Sequence, residues 1–232
     1  MSSHSRLRLS LNPLRHGVVA ALICFCGLGI AQGQTVFWSN LDTTTSRGTQ
    51  DAPSFINRKL TDVAQSFTTG DTATTLDSIT ISLNSISGAG FSLGLSLYTN
   101  GSSRPGTLIE TLSSSAAPAI GNNVFESGSS TLLEANTTYW WVASASGGVS
   151  GTTSSLNMAS AASGEALDGW FIGGASVSGS YNPNSGWGSW SGYVGDVLKF
   201  EIVATPVPEP ATTAALVGLI TLGVAACRRR RR

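Results

Sequence analysis

Leu76-Asp77-Ser78-Ile79-Thr80-Ile81-Ser82-Leu83 alternates aliphatic and polar side chains with a period of two. An extended chain then carries Ile79, Ile81 and Leu83 on one side and Ser78, Thr80 and Ser82 on the other, the pattern of a half-buried strand. Phe91-Ser92-Leu93-Gly94-Leu95-Ser96-Leu97 repeats it, after a loop at Ser87-Gly88-Ala89-Gly90. Asn100-Gly101-Ser102-Ser103-Arg104-Pro105-Gly106 reads as a turn, with Pro105 fixing one φ and Gly106 admitting a positive one. Further strands are expected over 108–112, through Tyr139-Trp140-Trp141-Val142, and over 197–203, where Leu198, Phe200 and Ile202 oppose Lys199 and Glu201. Tyr139 and Trp141 share one face and Trp140 and Val142 the other, so one pair belongs to the core and the other lies under a second layer. No part of residues 34–205 shows a helical period. Many short strands between Gly, Ser and Asn turns predict an all-β chain, an antiparallel β-sandwich of jelly-roll type.

The two ends read differently. Arg6, Arg8 and Arg15 precede an apolar run over 17–30, and Ala31-Gln32-Gly33 supplies small residues for cleavage after Gly33, with Ala31 as the second choice. Residues 1–33 are therefore expected to be a signal peptide. At the other end stand Thr205-Pro206-Val207-Pro208-Glu209-Pro210, an uncharged stretch over 211–227, and Arg228, Arg229, Arg230, Arg231 and Arg232. As a helix the uncharged stretch would span about 25 Å, just enough to cross a bilayer. Its strong aliphatics are Leu216, Val217, Leu219, Ile220, Leu222 and Val224, so a single transmembrane helix there is marginal. The arginines would stop on the cytoplasmic side and leave everything before Pro210 outside. The expected organisation is a signal peptide over 1–33, an exported β-sandwich over 34–204 and a tail over 205–232.

Pro208-Glu209-Pro210, the hydrophobic segment and the arginine cluster together resemble the PEP-CTERM sorting tail of Gram-negative bacteria. Pro206, Pro208 and Pro210 hold the backbone extended beside the membrane, with Glu209 as the charged handle. The resemblance implies export across the inner membrane, transient anchoring, tail removal by an exosortase, and delivery to the cell surface or extracellular matrix. Signal peptidase and exosortase are the partners it implies. An ordinary stop-transfer helix behind a Pro-rich linker is the alternative.

The interior also carries a resemblance. Ala64-Gln65-Ser66-Phe67-Thr68-Thr69-Gly70, Leu95-Ser96-Leu97-Tyr98-Thr99-Asn100 with Arg104-Pro105-Gly106-Thr107-Leu108, and Leu132-Leu133-Glu134-Ala135-Asn136-Thr137-Thr138-Tyr139-Trp140 are similar to the choice-of-anchor R domain. That resemblance implies a surface module without a catalytic motif.

The zero formal charge is a cancellation between the ends and the middle. Eight of the 13 basic residues lie in the two ends, leaving Arg47, Arg58, Lys59, Arg104 and Lys199 against twelve acids in residues 34–205. A domain so acidic is a poor partner for nucleic acid. His4, His16, Cys24, Cys26 and Cys227 all lie outside residues 34–205. Without imidazole or thiol there is no Ser-His-Asp or Cys-His nucleophile, no ordinary zinc site and no disulfide. Calcium on oxygen ligands stays open, but no EF-hand spacing is present, and neither metal nor cofactor is expected.

Binding character concentrates in residues 147–195, where 12 glycines and 11 serines surround Trp170, Phe171, Tyr181, Trp187, Trp190 and Tyr193. Most of these rings are expected to close the core. Trp187 and Trp190, in Gly186-Trp187-Gly188-Ser189-Trp190, are the expected exceptions. With Tyr181 and Asp168 they form a candidate carbohydrate-binding set, rings stacking on sugars and the carboxylate meeting hydroxyls. Two functional classes follow: a non-catalytic surface or matrix protein associated with exopolysaccharide, and a carbohydrate-active enzyme using Glu165 and Asp168 as a carboxylate pair. The first is the expectation.

Overall fold

The computed structural model describes residues 33–42, 46–56, 59–87, 90–147, 152–160, 164–173, 177–182, 186–187, 191–192, 196–208, 218–219, 221–223 and 227–229. Two compact units divide the chain, Met1–Gly33 and Gln34–Arg232. The expected signal peptide lies outside the described residues apart from Gly33.

The second unit is built from strands. In chain order they are β1 (Thr35–Ser39), β2 (Ser46–Ile56), β3 (Lys59–Thr68), β4 (Thr74–Ser87), β5 (Phe91–Asn100), β6 (Pro105–Leu112), β7 (Gly121–Glu126) and β8 (Leu132–Leu133). There follow β9 (Thr138–Gly147), β10 (Thr152–Ser160), β11 (Glu165–Ala166), β12 (Val177–Asn182), β13 (Gly186–Trp187), β14 (Ser191–Gly192), β15 (Asp196–Leu198) and β16 (Phe200–Pro206). Every described strand pair is antiparallel, and the hydrogen-bonded path runs β11-β1-β16-β4-β10-β2-β3-β9-β5-β6. The all-β, antiparallel expectation holds. The hydrogen bonding is continuous along this path rather than split between two separate sheets.

Core contacts show how the path doubles over. Trp141 on β9 meets Phe200 on β16 edge to face, with centroids 5.5 Å apart, although four strands separate β9 from β16 along the path. The Gln65 side chain on β3 likewise accepts a hydrogen bond from the Leu198 N–H on β15. Between these layers lie Val63, Phe67, Ile79, Ile81, Leu83, Leu95, Leu97, Trp141, Phe200 and Ile202, all buried. The alternation of β4 accounts for this, since its aliphatic positions turn inward and bury about 1.5–3 kcal/mol of hydrophobic free energy each.

β9 buries both faces, as its sequence predicts. Tyr139, Trp141 and Ala143 join the main core, whereas Trp140 and Val142 form a smaller cluster with Ala64 and Tyr98 on the other side. The Trp140 indole N–H donates to Asn100 at 3.0 Å, so its polar edge is satisfied as the ring is covered. β4 and β5, consecutive in sequence, are not neighbours: β4 pairs with β16, β10, β7 and β8, and β5 with β9 and β6.

The segment expected as one strand over 197–203 breaks at Lys199. β15 pairs with β10, and β16 pairs with β1 and β4. Asn40 covers the break: its Oδ1 accepts from Phe200 N at 2.7 Å and its Nδ2 donates to Leu198 O at 3.0 Å. A buried amide thus supplies the hydrogen bonds that a continuous ladder would have made.

The turn between β5 and β6 differs from its expected chemistry. Ser102 and Ser103, at φ of 60° and 65°, take the left-handed positions, and Gly101 N donates to Arg104 O. Pro105 and Gly106 already belong to β6. Gly106 is needed for space, because a Cβ there would stand 2.7 Å from Thr99 Oγ1 across the hairpin.

Helical backbone is described at 218–219, 221–223 and 227–229. Among the described residues no helix is long and apolar enough to cross a membrane, so the expected single transmembrane helix is not supported. Gly218 and Gly223 fall within the segment, and each disfavours a helix interior by about 1 kcal/mol relative to Ala. Residues 209–217, 220, 224–226 and 230–232, including Glu209, Pro210 and the last three arginines, lie outside the described residues.

Candidate functional site

Residues 164–173 follow Gly/Ser-rich sequence but are tied down by one ring. Trp170, 3% exposed, stacks on Phe37 at 5.0 Å and on Phe67 at 5.7 Å, the latter pair almost parallel. Burying that ring forces the chain before it into a tight turn. Asp168 and Gly169 take φ of 52° and 71°, and Trp170 N donates to Leu167 O at 3.0 Å. Two successive positive φ values suit Asp-Gly, which tolerates the left-handed region. Gly70 lies directly beneath, where a Cβ would fall 1.5 Å from the Asp168 carbonyl oxygen.

The next residue points the other way. Phe171 exchanges two backbone hydrogen bonds with Thr68, at 2.7 and 3.0 Å, and its ring is 61% exposed. Period-two alternation after a buried Trp170 puts Phe171 on the outside. Trp170 thus meets the expectation of a core ring, and Phe171 is an exposed aromatic that sequence reasoning assigned to the core.

Tyr181 and Trp187 occupy directly opposed positions of the β12–β13 hairpin. β12 extends β3, with Val177 opposite Ala64 and Ser180 opposite Thr61. Two of the candidate carbohydrate-binding aromatics are therefore brought to one cross-strand pair. Asp168 is exposed on the separate turn after β11, and Trp190 lies outside the described residues. Glu165, on β11 opposite Ser39, is also exposed.

An open groove of about 370 Å³ lies elsewhere, lined by Gln34, Leu76, Asp77, Ser78, Val124, Glu126, Ser127 and Ser130. Asp77 there accepts a hydrogen bond from Thr205 Oγ1 at 2.8 Å. Beside it, Glu110 gathers four donors: the hydroxyls of Ser127 and Thr131 and the backbone N–H groups of Gly128 and Ser129. Burial raises the Glu110 carboxyl, but the hydrogen bonds from Thr131, Ser127 and Ser129 outweigh it and the net displacement is below its ordinary value. This carboxylate shapes the 127–131 loop. No sequence motif announces it.

Asp62 is the described acid displaced furthest. It is 4% exposed on β3, its Oδ1 has no hydrogen-bond partner, and burial pushes its carboxyl up to about 6. Among the described residues no three His, Cys, Asp or Glu side chains gather as a metal site.

At its C-terminal end β16 runs two residues past position 204. Pro206 pairs with Thr74, and Val207 N donates to Ala73 O at 2.9 Å. Proline fits there because it ends the ladder while Val207 makes the last bond.

These features define an antiparallel all-β domain whose final strand leads directly into a C-terminal address. Residues 206–232 match the PEP-CTERM protein-sorting motif, so the chain carries that signal. The motif marks an exosortase-targeted exported protein with a membrane-anchored sorting signal. No curated protein and no solved structure matches the chain.

Proposed function

We propose that the protein is a non-catalytic surface or extracellular-matrix module that an exosortase frees of its tail, and that its mature domain associates with exopolysaccharide. The PEP-CTERM motif over residues 206–232 carries the reading. Its support is chemical. The span between the ends lacks imidazole and thiol, and it holds five basic residues against twelve acids, which suits an extracellular module better than a nucleic-acid binder. The resemblance of the interior to choice-of-anchor R domains points the same way. Exposed Phe171 supplies aromatic surface of the kind that stacks on sugar rings, and Tyr181 and Trp187 hold opposed register positions on the β12–β13 hairpin. The sorting signal over residues 206–232 holds the chain at the inner membrane until processing, and signal peptidase removes the front.

The test changes Pro208-Glu209-Pro210 to three alanines and follows the chain by intact mass and fractionation. The variant is expected to keep its arginines and stay with the membrane, while the wild type loses them. Equal processing of both would overturn the sorting reading.

A further inference from the structure

We propose that the end of the β-domain from which the tail leaves is a second recognition surface, seated against a basic, apolar-lined face of the membrane enzyme that reads Pro208-Glu209-Pro210. This rests on the sorting function proposed above and adds a contact outside the motif.

Chain geometry carries the first step. The last sheet hydrogen bond is Val207 N to Ala73 O, and one residue, Pro208, separates it from Glu209. At about 3.3–3.6 Å per residue, Glu209 lies within roughly 7 Å of Val207. A specific interface covers about 800 Å² on each partner, a disc of roughly 15 Å radius. An enzyme surface that grips residues 208–210 therefore meets the domain itself, since no linker separates the two.

The surface that it meets is set by register. Thr205 and Leu132 both pair with Thr75, from opposite sides of β4, which places them about two strand spacings or 10 Å apart. Glu134 follows Leu133, the partner of Thr74, at the level where β16 ends. Asn136 N donates to Gly70 O, which ties the 134–137 turn to the loop holding Asp71 and Ala73. The Asp168 carbonyl rests over Gly70. Around the exit thus stand Leu132, 48% exposed, and the exposed acids Asp71, Glu134 and Asp168.

Charge selects the occupant. Three exposed carboxylates would be repelled by an anionic phospholipid surface, where each basic group is favoured by about 1 kcal/mol and each acid correspondingly opposed. A basic protein face around an apolar centre meets the same patch with complementary charge, the arrangement that raises encounter rate and fixes orientation.

The experiment uses the full chain in cells that process it, with tail removal timed by intact mass. The charge-reversed double variant Asp71→Lys, Glu134→Lys is expected to lose its tail ~10-fold more slowly, a typical steering effect. Ile120→Lys should process at the wild-type rate, because Ile120 is 68% exposed next to Gly121, whose partner Leu83 lies about 30 Å along β4 from Thr74. A ten-residue Gly/Ser insertion between Val207 and Pro208 should abolish the difference between the double variant and its parent. Unchanged melting of the double variant would assign the slowing to the surface rather than to misfolding. An unchanged rate in the direct fusion, or equal slowing with the linker present, would overturn the proposal. So would faster processing accompanied by tighter binding to phosphatidylglycerol vesicles, which would assign this end to lipid. The triple-alanine chain tests the sorting reading separately: if it stalls while the double variant runs normally, only the second surface is lost.

Discussion

Asp62 gives the sharpest thermodynamic test. Its carboxyl moves from 3.8 to about 6 because burial disfavours the charged form, and its Oδ1 has no hydrogen-bond partner. A carboxyl raised from 3.8 to about 6 carries about 3 kcal/mol, since a tenfold change in proton affinity is about 1.36 kcal/mol. The sign follows from proton binding. Between pH 3.8 and about 6 the folded chain holds a proton on Asp62 that the unfolded chain has released, so stability falls as pH rises through that window and levels off above it. Asp62→Asn removes the titration while keeping the shape. The amide brings an offset of its own, but that offset is independent of pH, so the readout is the difference in slope. Urea unfolding of residues 34–208 at intervals from pH 4 to pH 7 should show the wild type losing about 3 kcal/mol relative to Asp62→Asn across the window. In melting temperature that is about 6–12 °C for a domain of this size. Parallel curves for the two proteins would refute the assignment of a buried carboxyl with an unpaired Oδ1 to position 62.

Two further changes probe the loops. Gly70→Ala places a Cβ 1.5 Å from the Asp168 carbonyl oxygen, and the backbone shift that follows should cost about 1–3 kcal/mol in thermal unfolding. Glu110→Gln should cost roughly 1 kcal/mol at neutral pH, because the amide accepts fewer of the four hydrogen bonds and the loop stays solvent-screened. Since the folded carboxyl lies below its ordinary 4.5, its contribution is present above that value and fades as pH falls through the folded one. Unfolding curves of Glu110→Gln and wild type should therefore converge in acid.

Much of the strand content was legible because alternation is a local property. Ile79, Ile81 and Leu83 had to share a face, and Leu198, Phe200 and Ile202 had to oppose Lys199 and Glu201, whatever their partners. The two-sided burial of Tyr139-Trp140-Trp141-Val142 could be read in the same way, since large apolar rings on both faces need cover on both. Three features could not be read locally. The break at Lys199 depends on Asn40, some 160 residues away, supplying two hydrogen bonds. The left-handed residues of the β5–β6 turn are Ser102 and Ser103, while Gly106 stands in β6 at a close approach to Thr99 that only the paired strands create. Phe171 looked like core because aromatic rings usually are, and its outward direction follows only once Trp170 is seen stacked on Phe37 and Phe67.

The sorting address belongs wholly to the sequence, since residues 206–232 carry it as an order of residue types along the chain. That order needs no fold to be recognisable. Tertiary structure alone decided how near the address lies to the body of the protein. Whether residues 205–207 hang free or close the edge of β4 depends on Thr74 and Ala73 standing opposite them, and such pairing joins positions more than 130 apart in sequence that no local pattern can bring together.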